Sequence, residues 1–189
     1  MNINYCIKYD NIQLRPLIDS DVEKLRIWRN DPSNNIFLKD IGTISKEKQS
    51  IWYQNYLKDK NDITFAIVEN KFLDRLVGSL SLYNIIDQNA EFGHMLIGDK
   101  DAHGLDIGKK SLTMLMKFAF ETLKLNSVQG FVNKDNLSAL ITYNTVGFLI
   151  VGERKSESLV GGIDFEIQLD YNRFQQNNAF LKEIIIESI

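Results

Sequence analysis

Apolar positions along the 189-residue chain change period several times, and each change predicts an element. Between residues 63 and 97 three short apolar stretches, ITFAIV (63–68), LVGSLSLY (76–83) and AEFGHMLI (90–97), are separated by Asn70, Asp74, Asp87 and Asn89, which predicts an antiparallel meander of strands. The period then lengthens. Leu112, Leu115, Met116, Ala119 and Leu123 recur at i, i+3, i+4, i+7 and i+11, the stripe of an amphipathic helix. It returns to two in SVQGFV (127–132) and in IDFEIQL (163–169), whose Ile163, Phe165, Ile167 and Leu169 share one face. A short helix from Asn136 to Val146, closed by Gly147, and a strand FLIV (148–151) lie between these two.

Upstream, IQLRPL (12–17) reads as a strand ending at a proline, and Ser20-Asp21-Val22-Glu23 has the capping-box spacing that starts a helix. That helix carries Val22, Leu25 and Trp28 inward and stops before Pro32. A second helix runs from about Ser45 to Lys58 with Ile51, Trp52 and Tyr56 on its apolar side. The tail from Tyr171 is helical in part. The order β-α-α-β-β-β-α-β-α-β-β predicts an α/β fold of the mixed α+β kind, a mostly antiparallel sheet with helices on both faces.

Neither a Gly/Ser-rich linker nor a repeat interrupts the chain, so we expect one domain over 1–189, with a core of about 12–170 and a tail over 171–189. A hydrophobic fraction of 44% with 25% charged residues suits one well-covered core. The net charge of −3 gives no basic footprint for a nucleic-acid backbone. Cys6 has no second thiol to pair with, which excludes a disulfide framework or a zinc cluster within one chain and points to the reducing cytoplasm. MNINYCIKYD lacks the pattern of a signal peptide, and no stretch approaches the roughly 20 apolar residues that span a bilayer, so a soluble protein with no membrane partner is expected.

One junction stands apart. The strand at 90–97 runs through HGLDIGKK (103–110) directly into the longest helix, and a helix N-terminus offers unpaired N–H groups and a positive dipole end to an anion such as a pyrophosphate.

Here the residues resemble the GNAT superfamily of acetyl-CoA-dependent N-acetyltransferases, whose turn reads Gln/Arg-x-x-Gly-x-Gly/Ala. This chain has His103-Gly104-Leu105-Asp106-Ile107-Gly108. The segment from Asn136 through Ala139 and Tyr143 to Gly147-Phe148 is similar to the family's N-x-x-A-x-x-x-Y-x-x-x-G-F, and LRPLIDSDVEKLRIWRND resembles the opening of the ribosomal-protein (RimJ/RimL-like), spermidine and nucleotide-sugar branches. Asp106 departs from the pattern by replacing the first glycine of the Gly-x-Gly pair. A side chain there crowds the cofactor and a carboxylate repels a diphosphate, unless it points to solvent and Lys109 and Lys110 offset its charge.

The resemblance implies acetyl-CoA as co-substrate and direct transfer to a primary amine. It places the pyrophosphate on the amides of His103 to Lys109, the pantetheine arm and oxyanion on the backbone of Met95, Leu96 and Ile97, and Asn136 against the cofactor. Each has a plainer reading: the strand residues are good core residues, and asparagine is a common helix cap. Tyr143 is the candidate general acid for the thiolate, or else a core aromatic. Glu91, a polar residue in an apolar strand, is the candidate base if burial raises its pKa, or else it faces outward. His94, three residues on, falls on the opposite face of a regular strand and reads as packing. No Cys/Asp/Glu spacing supports a metal held by the two histidines.

The acceptor amine is expected across the sheet, walled by Trp28, Arg29, Asn30, Phe37 and Trp52. A polyamine needs a multi-carboxylate pocket, for which Asp19, Asp21 and Glu23 are the cluster at hand; a peptide needs a groove, and a nucleotide sugar a basic patch. The family leads us to expect a homodimer through the last strands or the tail. The alternative to an enzyme is a non-catalytic acyl-CoA-binding or sensor module, which Asp106 favours and Tyr143 and Asn136 oppose.

Overall fold

The computed structural model describes residues 4–177 and 181–189. Its strands are β1 (Tyr5–Tyr9), β2 (Ile12–Pro16), β3 (Ile63–Glu69), β4 (Arg75–Ile86), β5 (Asn89–Ile97), β6 (Ser127–Asn133), β7 (Leu149–Lys155), β8 (Ile163–Asp170) and β9 (Ile185–Ser188). The helices are α1 (Asp19–Asn30), α2 (Pro32–Asn35), α3 (Lys46–Tyr56), α4 (Ile107–Lys117), α5 (Leu137–Val146) and α6 (Tyr171–Asn177). Among the described residues the strands form one sheet in the order β7-β8-β6-β5-β4-β3-β2-β1-β9. Every neighbouring pair is antiparallel except β5 and β6, which are parallel because α4 carries the chain over between them.

The period of two decides what each face receives. Phe65, Ile67 and Val77 lie in the core that also buries Leu112, Leu115 and Met116 of α4. Their neighbours Ala66 and Leu76 belong to a second cluster with Leu25 and Trp28 of α1 and Tyr53 of α3. The helices therefore cover both faces, as expected. After Lys117 the long helix widens into a π-helical turn, Phe118–Thr122.

Three details differ from expectation. α1 starts with Ile18 as its cap, and Asp21 rather than Glu23 reaches back, accepting from the Ile18 amide at 3.0 Å while binding Arg15 through both oxygens at 2.6 and 2.9 Å. On α3 the inward residues are Gln49 and Tyr53, whereas Ile51 is exposed, because the helix leans on the cleft described below and turns its apolar count off the core. β1 and β9 fall outside the expected core span, yet they extend the sheet, paired from Tyr5↔Ser188 to Lys8↔Ile185.

Candidate active site

The chain leaves β5 and doubles back at residues 103–106, where Gly104 has φ +80° and Asp106 φ +58°. Asp106 is the N-cap of α4 and its side chain makes no capping bond, so the first amides of the helix, at Ile107, Gly108 and Lys109, remain available. They line an open cleft of about 560 Å³ with Ile97, His103 and, from α5, Ser138 and Thr142. Unpaired N–H groups and the positive end of the helix dipole suit this cleft to a phosphate-bearing ligand. His103 Nε2 lies 2.9 Å from the Ile97 carbonyl oxygen and ties the turn to the strand. Gly108 lies close to that strand too, since a Cβ there would sit 3.3 Å from Met95 Cε.

The left-handed φ of Asp106 explains why glycine suits this position, and aspartate is among the few residues that tolerate it. Its side chain is exposed, and the residue lines the cleft. Of the two lysines expected to offset its charge, Lys110 is bound to Asp10 at 2.7 Å, which leaves Lys109 in the cleft wall.

Beside the turn the sheet opens. β5 and β6 pair from Asn89↔Ser127 to Phe92↔Gly130 and then part, so Met95, Leu96 and Ile97 border a gap, the last two with ladder partners on β4. At the start of the gap β5 carries an extra residue: the step from Ser79 to Ser81 on β4 faces the step from Leu96 to Gly93 on β5. His94 absorbs it with φ +49°. Such a bulge reverses the alternation beyond it. Glu91 and His94, expected on opposite faces, therefore share one.

Tyr83, opposite Glu91 in the ladder, stacks on His94 with ring centroids 4.7 Å apart. Glu91 Oε1 accepts from Asn84 Nδ2 at 2.8 Å. Burial, and after it the charge of Glu91, push the Tyr83 phenol up to about 12. Burial and then Arg29 hold the His94 imidazole below its ordinary value, with Glu91 opposing them.

On this same face lies a second cleft of about 580 Å³. Its floor is polar, made by Thr64, Ser79 and Ser81, and the Thr64 and Ser81 hydroxyls are 2.7 Å apart. Arg29 of α1, Lys48 and Trp52 of α3, Lys39 of the connecting loop and His94 of β5 form the walls. Among the described residues no Asp or Glu lines it. Arg29 donates to the Lys39 carbonyl, and burial lowers its pKa although Asp40 works the other way.

Of the acceptor-wall residues expected from sequence, Arg29 and Trp52 line this cleft. Trp28 is core, and Asn30 is occupied at both ends by the Ile44 backbone, each bond 2.9 Å long. Phe37 lies outside the lining.

On the opposite face Tyr143 packs edge-on against Phe92, the last residue of β5 paired with β6, with ring centroids 5.3 Å apart. Burial raises its phenol well above the ordinary range, so it carries its proton at neutral pH. Residues 11–149 match the family model described as an acetyltransferase (GNAT) domain. The chain belongs to the GNAT acetyltransferase family.

The acetyltransferase PseH of Campylobacter jejuni is 29% identical over 139 residues, covering 74% of this chain and 83% of PseH. The spermidine N-acetyltransferase of Vibrio cholerae in complex with CoA and spermine has the same fold, with a TM-score of 0.77 at 19% identity over 87% of this chain and 98% of that one. So does Mycobacterium smegmatis RimJ in complex with CoA-disulfide, with a TM-score of 0.76 at 15% identity over 97% of each chain. The GNAT acetyltransferase described here is thus an N-acetyltransferase whose co-substrate is acetyl-CoA. The non-catalytic module gains no support from these relatives.

Within the acetyltransferase, the structure brings Met95, Ile97, His103, Gly104, Leu105, Asp106, Ile107, Gly108 and Lys109 together around one end of β5. The Leu96 side chain lines the second cleft, and Asn136 caps α5 by accepting from the Ala139 amide at 3.2 Å. Sequence reasoning missed Ser138 and Thr142, one helical turn apart on the face that meets α4, and Ser79 and Ser81. The last two had left a signal: hydroxyls at a spacing of two inside an apolar strand.

Proposed function

We propose that the enzyme acetylates a primary amine that also bears an anionic group, by direct transfer through the gap between β5 and β6. The observation that carries this reading is the second cleft, whose largely apolar walls carry Arg29, Lys48 and His94, with Lys39 paired to Glu157, and which no carboxylate lines among the described residues. A polyamine, the substrate class in the name of the Vibrio cholerae neighbour, is a polycation and would meet like charge here. Two of the three carboxylates of the acidic cluster considered from sequence are also committed elsewhere, Asp21 to Arg15 and Glu23 to Arg26. A phosphate or carboxylate answers Arg29, which matches oxyanions through its planar fork, and the exposed face of Trp52 suits a flat ring.

In this reading the pyrophosphate of acetyl-CoA rests on the amides from His103 to Lys109, with Asn136 beside it, and the thioester reaches the gap along Met95, Leu96 and Ile97. Backbone donors at the β5 edge stabilise the developing oxyanion, and Tyr143 protonates the leaving thiolate. Glu91 supplies the carboxylate that steadies the proton leaving the amine. The single cysteine and net charge of −3 support a cytoplasmic enzyme without a nucleic-acid partner.

The test is thiol release from acetyl-CoA with three amines: UDP-glucosamine, glucosamine and spermidine. The reading expects the highest kcat/KM for UDP-glucosamine and a loss of that preference in Arg29→Gln. Spermidine as the best of the three would overturn it.

A further inference from the structure

We infer that His94 is the group that takes the proton from the attacking amine, an inference that rests on the acetyl-transfer reading above. Three geometric observations converge on this residue. It sits just past the last paired residues of β5 and β6, where a group on the second-cleft face borders the gap along which the thioester is proposed to lie. It lines the acceptor cleft, whereas Glu91 lies one ladder step back, bonded to Asn84. It is held there by a left-handed backbone and by the Tyr83 ring stacked on it. A non-glycine residue at positive φ costs free energy, and such residues gather at functional sites. His94 keeps part of its surface open to the cleft, so packing alone does not account for its place.

The charge around the ring fits a proton acceptor. Arg29 from α1, Lys39 from the loop and Lys48 from α3 share its cleft, Tyr83 of β4 stacks on it, and Glu91 on its own strand is the facing carboxylate. Lys39 is paired with Glu157 at 2.7 Å, which leaves Arg29 and Lys48 as the unpaired cations of the walls among the described residues, and burial followed by Arg29 lowers the imidazole pKa and favours its neutral form. The step balances as follows. The amine nitrogen forms a bond to the thioester carbon, and its excess proton, acidic in the tetrahedral adduct, passes to the free imidazole nitrogen. As the adduct collapses, the carbon–sulfur bond breaks, its electron pair goes to sulfur, and Tyr143 supplies the sulfur's proton. His94 then releases its proton to water and Tyr143 regains one.

The experiment compares wild type with His94→Asn and His94→Gly, two residues that accept a left-handed backbone without strain. Turnover is followed with whichever of the three amines, or water, takes the acetyl group, so that a wrong acceptor class leaves the test of His94 intact. We expect kcat/KM to fall on the order of 100-fold in His94→Asn while acetyl-CoA affinity stays within twofold. The acid limb of the wild-type pH profile, with its inflection below the ordinary histidine value, should disappear, and added imidazole should restore turnover to His94→Gly. Proton NMR is decisive in a chain with two histidines, and the His94 resonance should titrate below pH 6.5. The inference is overturned if His94 titrates above that value. It is equally overturned if the acid limb survives in His94→Asn and vanishes in Glu91→Gln.

Discussion

Tyr143 and Asp106 test the residue scale from two directions. The Tyr143 ring is anchored by Phe92 and Phe148, so removing only its hydroxyl leaves that packing intact. Tyr143→Phe should lower kcat by about 100-fold or more, with acetyl-CoA affinity by calorimetry within threefold of wild type. Unchanged turnover would remove Tyr143 from the chemistry. Asp106→Gly removes both a negative charge beside the phosphate cleft and the cost of a left-handed non-glycine residue. It should tighten acetyl-CoA binding several-fold and raise Tm by roughly 2–4 °C, the equivalent of about 1 kcal/mol in a chain of this size. The identity of both residues was legible in the sequence. The role of His94 was not, because counting by twos assumes an unbroken strand, and one inserted residue turns every later side chain over.

At the scale of elements, strong periodicity was readable and weak periodicity was not. The α4 stripe, the β3–β5 meander and the α5 boundaries at Asn136 and Gly147 all follow from local pattern. β1 escaped because its burial does not alternate: Cys6 and Ile7 are buried in succession. β9 escaped because four residues pair with a strand about 180 positions away, and no local pattern encodes such a partner. α3 was placed correctly and its Tyr56 packs inward, but Ile51 is exposed and Trp52 lines the cleft. Just past β5, a Cβ at Gly98 would run into the Trp28 ring of α1. Gly98→Ala should cost about 3 kcal/mol through overpacking, seen as a fall in Tm of roughly 6–12 °C. A Tm within 2 °C of wild type would show that the indole can move aside.

Across the whole molecule, acid stability depends on a carboxylate far from either cleft. Glu69 is fully buried where β3 turns toward β4. Burial pushes its pKa up, but the Leu73 amide, Asn11 and the Phe72 and Lys71 amides overcome that and bring it to about 2. Its folded-state value is thus depressed below the ordinary 4.5, so the stability it contributes is present above pH 4.5 and is lost as pH falls toward 2. Glu69→Gln should lower Tm at pH 7 by roughly 4–8 °C, about 2 kcal/mol, and flatten the dependence of Tm on pH across that window. A variant that keeps the wild-type slope would assign acid unfolding to other carboxylates. The sheet has a different consequence at this scale. One cleft lies on the α4 face and the other on the α1 and α3 face. In the function proposed above, donor and acceptor therefore enter by separate doors, and neither obstructs the other's arrival or departure. Double-reciprocal plots should intersect rather than run parallel, and the acetylated product should be free to diffuse away while spent CoA is still bound.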